Sequence, residues 1–444
     1  MGERAMNHIL PRAEGVRLPV VAGGEGCYLI DTEGRRYLDG SGGAAVSCLG
    51  HGDPDIIAAI KAQLDRVAFA HTGFFTSEPA EALADLLVET APGDLSRVYF
   101  LSGGSEAAET AIKIARQHWV ARGEPGRHRL IAREQSYHGN TLGALAAGGN
   151  PARKAPYAPL LAEMHHIPPC HHYRHGEPGE SAEDYGRRAA DALEAEILRL
   201  GPETVMAFMA ETVSGATLGC VPPAPGYFRR IREICDRYGV LLILDEVMCG
   251  MGRTGTLWAC EQDGVAPDIA TIAKGLGGGY QPIGAMLCTE AVYAPIVEAH
   301  GAFQHGHTYI GHPTATAAGL AVLTKLTRGG LAARAAEIGA VLREKLEARF
   351  GQHPNVGDIR GRGMFQGIEI VADRESKAPF PRARGVAPKI KKAAMRAGLI
   401  CYPAQGTADG QAGDHVLLAP PFIIEPSQID ELTDKLETAI TEAI

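Results

Sequence analysis

The chain has 444 residues, 45% hydrophobic and 21% charged, the balance of a globular protein with a sizeable core and the length of about two to three domains. A formal charge of −9 excludes an electrostatic case for nucleic acid or an anionic membrane surface. No apolar run approaches the ~20 residues that span a bilayer, and the nine cysteines are scattered and never spaced C-x-x-C, so they read as reduced thiols rather than a disulfide framework.

In chain order, "MGERAMNHILPRAEG" carries charges and a proline where a signal peptide needs an apolar block, and the expected location is cytoplasmic. Residues 27–39, "CYLIDTEGRRYLD", predict a hairpin with Gly34 at its turn. The middle of the chain then alternates short apolar runs with helical patterns: "RVYFLS" before "SEAAETAIKIARQHW", "RLIAREQS" before a glycine-rich turn, and "VMAFMAE" and "VLLILDEV" on either side of "GYFRRIREICDRYG". Buried strands alternating with helices predict an α/β domain with a mainly parallel sheet covered on both faces. Beyond residue 330 the pattern becomes helix ("LAARAAEIGAVLREKLEARF"), strand ("MFQGIEIV"), helix ("APKIKKAAMRAG") and strand ("HVLLAPPFII"). The expected division is a large domain over 56–325 and a small α+β domain over 326–444, with residues 1–55 joined to the small one.

Three stretches carry chemistry. In "VYFLSGGSEAAETAIKIAR" a strand runs into Ser102-Gly103-Gly104-Ser105 and then a helix with Glu106 and Glu109 in its first turns. Glycines let backbone amides approach an anion and a helix N-terminus offers free N–H donors, which suits a phosphate; a serine-capped helix with acidic first turns is the competing reading. In "LLILDEVMCGMGRTG", Asp245 ends a run apolar enough to be a central strand, at the sheet edge where α/β proteins bind ligands. It would pair with a cationic ring nitrogen or cap the following turn. In "TIAKGLGGGYQPIGA", Lys274 precedes its glycines, the reverse of a nucleotide-binding P-loop.

A phosphate cup, a strand-end carboxylate and a lysine among glycines together suit pyridoxal phosphate: phosphate on the helix N-terminus, pyridinium on the Asp, aldehyde on the Lys. Their order resembles the fold-type I pyridoxal-phosphate enzymes. More closely, "SGGSEAAETAIKIAR", "YHGNTLGALAAGG", "AETVSGATLGCVPP", "DEVMCGMGRTG", "IAKGLGGGYQPIGA" and "HGHTYIGHPTATAAGLAVL" are similar to motifs of the class III aminotransferases, which include ornithine, gamma-aminobutyrate and omega-amine aminotransferases. With "YLDGSGGAAVSCLGHGDP" and "GLICYP" the resemblance covers nearly the whole chain.

The resemblance implies that Lys274 forms the Schiff base and shuttles the proton, while Asp245 keeps the ring nitrogen protonated. It places Val247 beneath the ring, Tyr137 on the opposite face with His138 beside it, and the phosphate on Gly104 and Ser105. Thr308 would reach the phosphate of a neighbouring subunit, which implies a homodimer with sites at the interface. Glu211 lines the cofactor region, with a role that varies among members. Many omega-aminotransferases carry an arginine after "GLIC" that grips the substrate carboxylate; here Tyr402 stands there, and Ala45 stands where an aromatic residue is common. These departures suggest a roomier pocket, with carboxylate recognition moved to another arginine. The loop from Ala404 to Asp414 offers acids, which would suit a second amine on the donor.

The expected reaction moves an amino group from an omega-amine or amino-acid donor to a 2-oxo acid such as pyruvate, in two steps through pyridoxamine phosphate. An aminomutase, a racemase or a decarboxylating transaminase would share every cofactor motif, and a nucleotide-binding module is the reading from a different class. The histidines of "MHHIPPCHHYRHGEP" fit no standard zinc spacing, so no metal is assigned. The basic run Lys377 to Arg396 reads as a solvated face, and Arg253, which could bind a substrate carboxylate, reads rather as half of a structural ion pair beside the strand-end turn.

Overall fold

The computed structural model describes residues 8–10, 12, 15, 16 and 18–444; residues 1–7 and most of "PRAEG" in the predicted N-terminal segment lie outside the described residues. Its centre is a seven-stranded sheet ordered Leu95–Leu101, Gly284–Thr289, Ile269–Ile272, Leu241–Asp245, Val205–Glu211, Arg129–Arg133 and His165–Ile167. Only Gly284–Thr289 runs antiparallel to its neighbours, and the other pairings are parallel. Every residue of Val205–Glu211 and of Leu241–Asp245 is buried. Helices therefore cover both faces of the sheet, which is why these strands read as unbroken apolar runs rather than alternating ones.

The helix Gly104–Ala121 packs on this sheet through Ala107, Ala108, Ala111 and Ala115, all at 0% exposure. Small side chains on its inner face allow a close approach to the strands. Tyr227–Tyr238 begins and ends at left-handed glycines, Gly226 and Gly239, where a Cβ would be strained. Ile231, Ile234 and Cys235 form its buried stripe.

Two four-stranded sheets complete the fold. Val21–Glu25, Tyr28–Asp31 and Arg36–Asp39 form a meander joined to Leu399–Ile400. The predicted hairpin is its Tyr28–Asp31 and Arg36–Asp39 pair, with Gly34 at φ 79° in the turn. The second sheet is ordered Val356–Arg362, Phe365–Ile370, Asp414–Leu418 and Tyr402–Gln405. Segments near the two ends of the chain thus share a sheet, as the parallel pairing of Leu399 with Leu38 shows.

The segment 404–414, expected as an extended loop, is turn and bend over 407–412. Its ends pair as strands, Asp414 is buried and accepts from the Ala387 amide, and Asp409 accepts from the amides of Gln411 and Ala412. Asp414 is thereby taken up inside the fold, whereas Asp409 is exposed and both amides meet its Oδ1. No helix among the described residues is long and apolar enough to cross a membrane.

Candidate active site

Strand register builds the site. Glu211 lies opposite Asp245 and Asp245 opposite Thr271, so three carboxyl-terminal strand ends align in one row. Three residues beyond Thr271 the chain turns at Lys274, whose φ of 45° is left-handed and uncommon for a side chain with a Cβ. The glycines after it are required by packing: a Cβ on Gly275 would lie 2.9 Å from the Met251 Cβ, and one on Gly277 would lie 2.3 Å from the Gln281 carbonyl oxygen. Tight backbone closure is therefore what the glycine series serves, and it aims the lysine back over the strand ends.

A cavity of about 480 Å³ opens there, within the range of small-molecule sites. Gly104, Ser105, Tyr137, His138, Glu211, Asp245, Val247 and Lys274 all line it. Residues separated by as many as 170 positions are thus brought together. Ala45 and Tyr402 do not line the cavity; they pack with Met248 and Cys249, which do, in one apolar cluster. Thr308 stands apart, exposed in the turn 308–311.

Asp245 is 4% exposed, and both of its oxygens are engaged. The His138 Nδ1–H donates to Oδ2 at 2.7 Å, and the Val247 amide donates to Oδ1 at 3.0 Å. His138, expected beside a stacked tyrosine, thus also orients the carboxylate. Its Nε2 is buried with no hydrogen-bond partner. Glu211 accepts from the amides of Tyr137 (3.2 Å) and Gly215 (2.9 Å). Burial raises its pKa, with His138 opposing and Asp245 adding to the rise. Burial lowers the Lys274 pKa, against the pull of Asp245 and Glu211, which favours a neutral amine. Its Nζ makes no hydrogen bond among the described residues.

The glycine-rich turn favours the anion reading over the serine cap. The residue capping Gly104–Ala121 is Gly103, with no side-chain cap hydrogen bond. Glu106 accepts from the Ser102 amide instead (2.8 Å), and the Ser105 hydroxyl accepts from the Asn140 amide (3.1 Å). A Cβ built on Gly103 meets nothing within 4 Å, whereas one on Gly104 would lie 2.7 Å from Val247 Cγ1. A helix N-terminus, a carboxylate held by an N–H donor and a low-pKa amine around one cavity fit the phosphate, ring nitrogen and aldehyde of pyridoxal phosphate.

Several lining residues escaped the sequence reading. Val46, Val213, Met248 and Cys249 are apolar and carried no signal, whereas Gln281 sits within the quoted lysine stretch. Arg253 corrects an expectation: it forms no ion pair among the described residues. Its Nη1 donates to the carbonyls of Pro420 (2.6 Å) and Met364 (3.3 Å), and its guanidinium stacks on Phe422. Burial pulls its pKa down to about 10. The histidine-rich segment is dispersed: His166 faces the carbonyls of Ala147 and Gly148, His171 is buried, and Cys170 Sγ accepts from the Ala224 amide. No cluster of three or more potential metal ligands occurs among the described residues.

Comparison with known proteins agrees in kind. The family model "Aminotransferase class-III" matches residues 9–440. An uncharacterised aminotransferase of Schizosaccharomyces pombe is 49% identical over 439 residues, covering 99% of this chain and 96% of that one. Among solved structures, an (S)-enantioselective omega-transaminase from Thermomicrobium roseum superposes with TM-score 0.91 at 38% identity, covering 99% of this chain and 96% of that one. The PMP-bound form of an aminotransferase from Vibrio fluvialis gives TM-score 0.90 at 35% identity, with 96% and 93% covered.

Proposed function

The chain belongs to the class-III aminotransferases, which are pyridoxal-phosphate-dependent transferases, and on that premise we propose that it moves an amino group from an omega-amine or amino-acid donor to a 2-oxo acid such as pyruvate. The observation that carries this reading is the convergence of Lys274, Asp245 and the uncapped Gly104–Ala121 helix end on one cavity. Similarity to an omega-transaminase supports the donor class.

When bound, pyridoxal phosphate supplies a carbonyl that accepts the amino group and a ring that takes up electrons released at the donor carbon. Gly104 and Ser105 offer their backbone N–H groups to the phosphate at the positive end of a helix. Asp245, oriented by His138, would hold a proton on the ring nitrogen. Val247 and Tyr137, which both line the cavity, would enclose the ring, and Glu211 fixes the Tyr137 backbone. The Lys274 Nζ, inside the cavity, would hold the cofactor's carbonyl and serve as the base that takes a proton from the donor carbon.

The test is a panel of amine donors against pyruvate, 2-oxoglutarate and glyoxylate, with the keto product trapped. Transfer to at least one acceptor with stoichiometric keto product is expected. An isomerised or racemised amine with no keto product would replace this reading with a mutase or racemase.

Two further results follow from the cradle and from the apolar cluster behind the cavity. Gly104→Ala places a methyl group against Val247 and pushes that side chain into the cavity. The dissociation constant of pyridoxal phosphate, titrated into apoprotein by absorbance, should rise at least ~10-fold, equal to ~1.4 kcal/mol. At Tyr402 a neutral hydroxyl stands in place of the charged fork of an arginine, a difference of roughly 1.5–3 kcal/mol in carboxylate binding. Tyr402→Arg should lower the apparent KM for pyruvate severalfold in steady-state assays; an unchanged value rejects this role for position 402.

A homodimer with composite sites is part of the proposal. Phe74 and Phe75 are 81% and 68% exposed, and Phe69, Tyr309 and His312 stack into an aromatic group beside the cavity of about 300 Å³ that includes Ser102 and Gln281. Exposed apolar surface of this kind supports a subunit contact. The nine cysteines are free and buried, which supports a reducing, cytoplasmic compartment.

A further inference from the structure

A second cavity, of about 630 Å³, lies where the segments 171–182 and 221–225 meet the strand Val356–Arg362, and it shares no lining residue with the active-site cavity. His171 lines it at 1% exposure, and neither of its ring nitrogens has a hydrogen-bond partner among the described residues. Glu369 Oε2 lies 3.8 Å from His171 Nε2 and already accepts from Arg360 Nη1 at 2.5 Å. The Tyr173 hydroxyl, in the same wall, is buried and unpartnered as well. Buried polar groups are nearly always hydrogen-bonded, so two without partners in one cavity wall point to a polar ligand. Lys377, also in the lining, has a left-handed φ of 56° that a residue with a Cβ rarely adopts. Its carbonyl accepts from Arg174 Nη1 (2.6 Å), and its Nζ donates to the Tyr173 carbonyl (2.7 Å) from a position 4.7 Å from the centroid of the Tyr173 ring. That Nζ forms no ion pair among the described residues, and its other N–H donors are uncommitted.

Asp358 adjoins the same tyrosine: a Cβ on Gly357 would lie 2.3 Å from the Tyr173 hydroxyl. Asp358 Oδ2 accepts from Arg360 Nη1 (2.9 Å), and its Oδ1 has no donor among the described residues. The other two carboxylates of the lining, Glu177 and Glu180, face Arg188. The wall formed by 221–225 is apolar throughout and includes three prolines. A free cation, a half-used carboxylate and an apolar wall suit a zwitterion with an apolar side chain. We propose that this cavity is an effector site for a free amino acid of that kind, its carboxylate on Lys377, its ammonium on Asp358 and its side chain on the wall 221–225. The stretch 211–221 joins the two cavities, because Glu211 and Val213 line the active site and Val221 lines this one. Arg360 grips that stretch by donating to the carbonyls of Leu218 (2.5 Å) and Gly219 (2.8 Å) while it holds Asp358, so a ligand on Asp358 is felt towards Glu211. The site stands independently of the aminotransferase reading; its regulation of transfer rests on it.

The experiment is calorimetric titration of holoenzyme treated with borohydride, in which a bound amino acid is not consumed, with L-leucine, 4-methylpentanoate and 3-methylbutylamine. Leucine should bind, and the two analogues, each lacking one charged group, should bind at least ~10-fold more weakly. Lys377→Gln should weaken leucine binding at least ~10-fold, and Lys377→Arg should recover part of the loss. Failure of leucine to bind, an analogue that binds as tightly, or an unchanged dissociation constant in Lys377→Gln overturns the site; the first two outcomes need only the wild type. In untreated holoenzyme, leucine should change kcat/KM for amino transfer in the wild type and leave Lys377→Gln unaffected. Binding without that change upholds the site and overturns its regulatory role. If the protein transfers no amino group, the function reading fails and the calorimetry still decides the site.

Discussion

Lys274→Ala is expected to lower turnover by at least ~10⁴-fold, the upper range for a positioned general base, while pyridoxal phosphate still binds non-covalently. Lys274 is the only lysine lining the cavity among the described residues, and burial keeps its amine closer to neutral than an exposed lysine would be. A neutral amine can both attack a carbonyl and accept a proton. Alanine removes that amine and leaves the glycine cradle, Asp245 and Tyr137 in place, so the non-covalent contacts survive. Borohydride reduction followed by peptide mass spectrometry checks the assignment in the wild type. The cofactor mass should sit on the Lys274 peptide, and its appearance on any other lysine overturns the role proposed for this one.

Asp245→Asn is expected to slow proton removal from the donor by ~10³-fold, about 4 kcal/mol, with the cofactor retained. The reason lies in the hydrogen bonds of the site. The amide of Val247 and the Nδ1–H of His138 both donate to the carboxylate. An asparagine has one acceptor oxygen, and satisfying His138 with it turns the NH₂ group elsewhere in the site. Whichever way the amide faces, it carries no negative charge to hold a proton on the ring nitrogen. Single-turnover absorbance with a deuterated donor measures the step directly. A rate within about tenfold of wild type, only ~1.4 kcal/mol, means that another group partners the ring nitrogen.

The central strands were legible because burial on both faces leaves a plain mark, uninterrupted apolar runs such as "VMAFMAE" and "LLILD". The strand pairing at the ends of the segment 404–414 was not. Its pairing depends on Leu417 and Val416 lying opposite Tyr402 and Pro403, a non-local register that no local pattern in "PAQGTADGQAGD" expresses. Arg253 was misjudged for a related reason. An arginine beside the strand-end turn was expected to pair with a carboxylate, yet backbone carbonyls of Met364 and Pro420, more than 100 residues away, meet it instead.

The amino-acid sequence alone determined the class of chemistry. An amine acting on a bound carbonyl, a carboxylate against a ring nitrogen and bare amides against a phosphate each demand a residue type that few others can replace, and each stands at the end of a recognisable strand. Only the tertiary structure decided which side chains complete them. Parallel register sets Glu211 beside Asp245, the turn at Gly139 fits against Ser105, where a Cβ would lie 2.6 Å from its hydroxyl, and His138 then reaches Asp245 across 107 positions. The stacking of Arg153 on Tyr137 arises in the same way. Such contacts depend on how separate elements pack, and packing is a property of the whole chain that no short stretch of it carries.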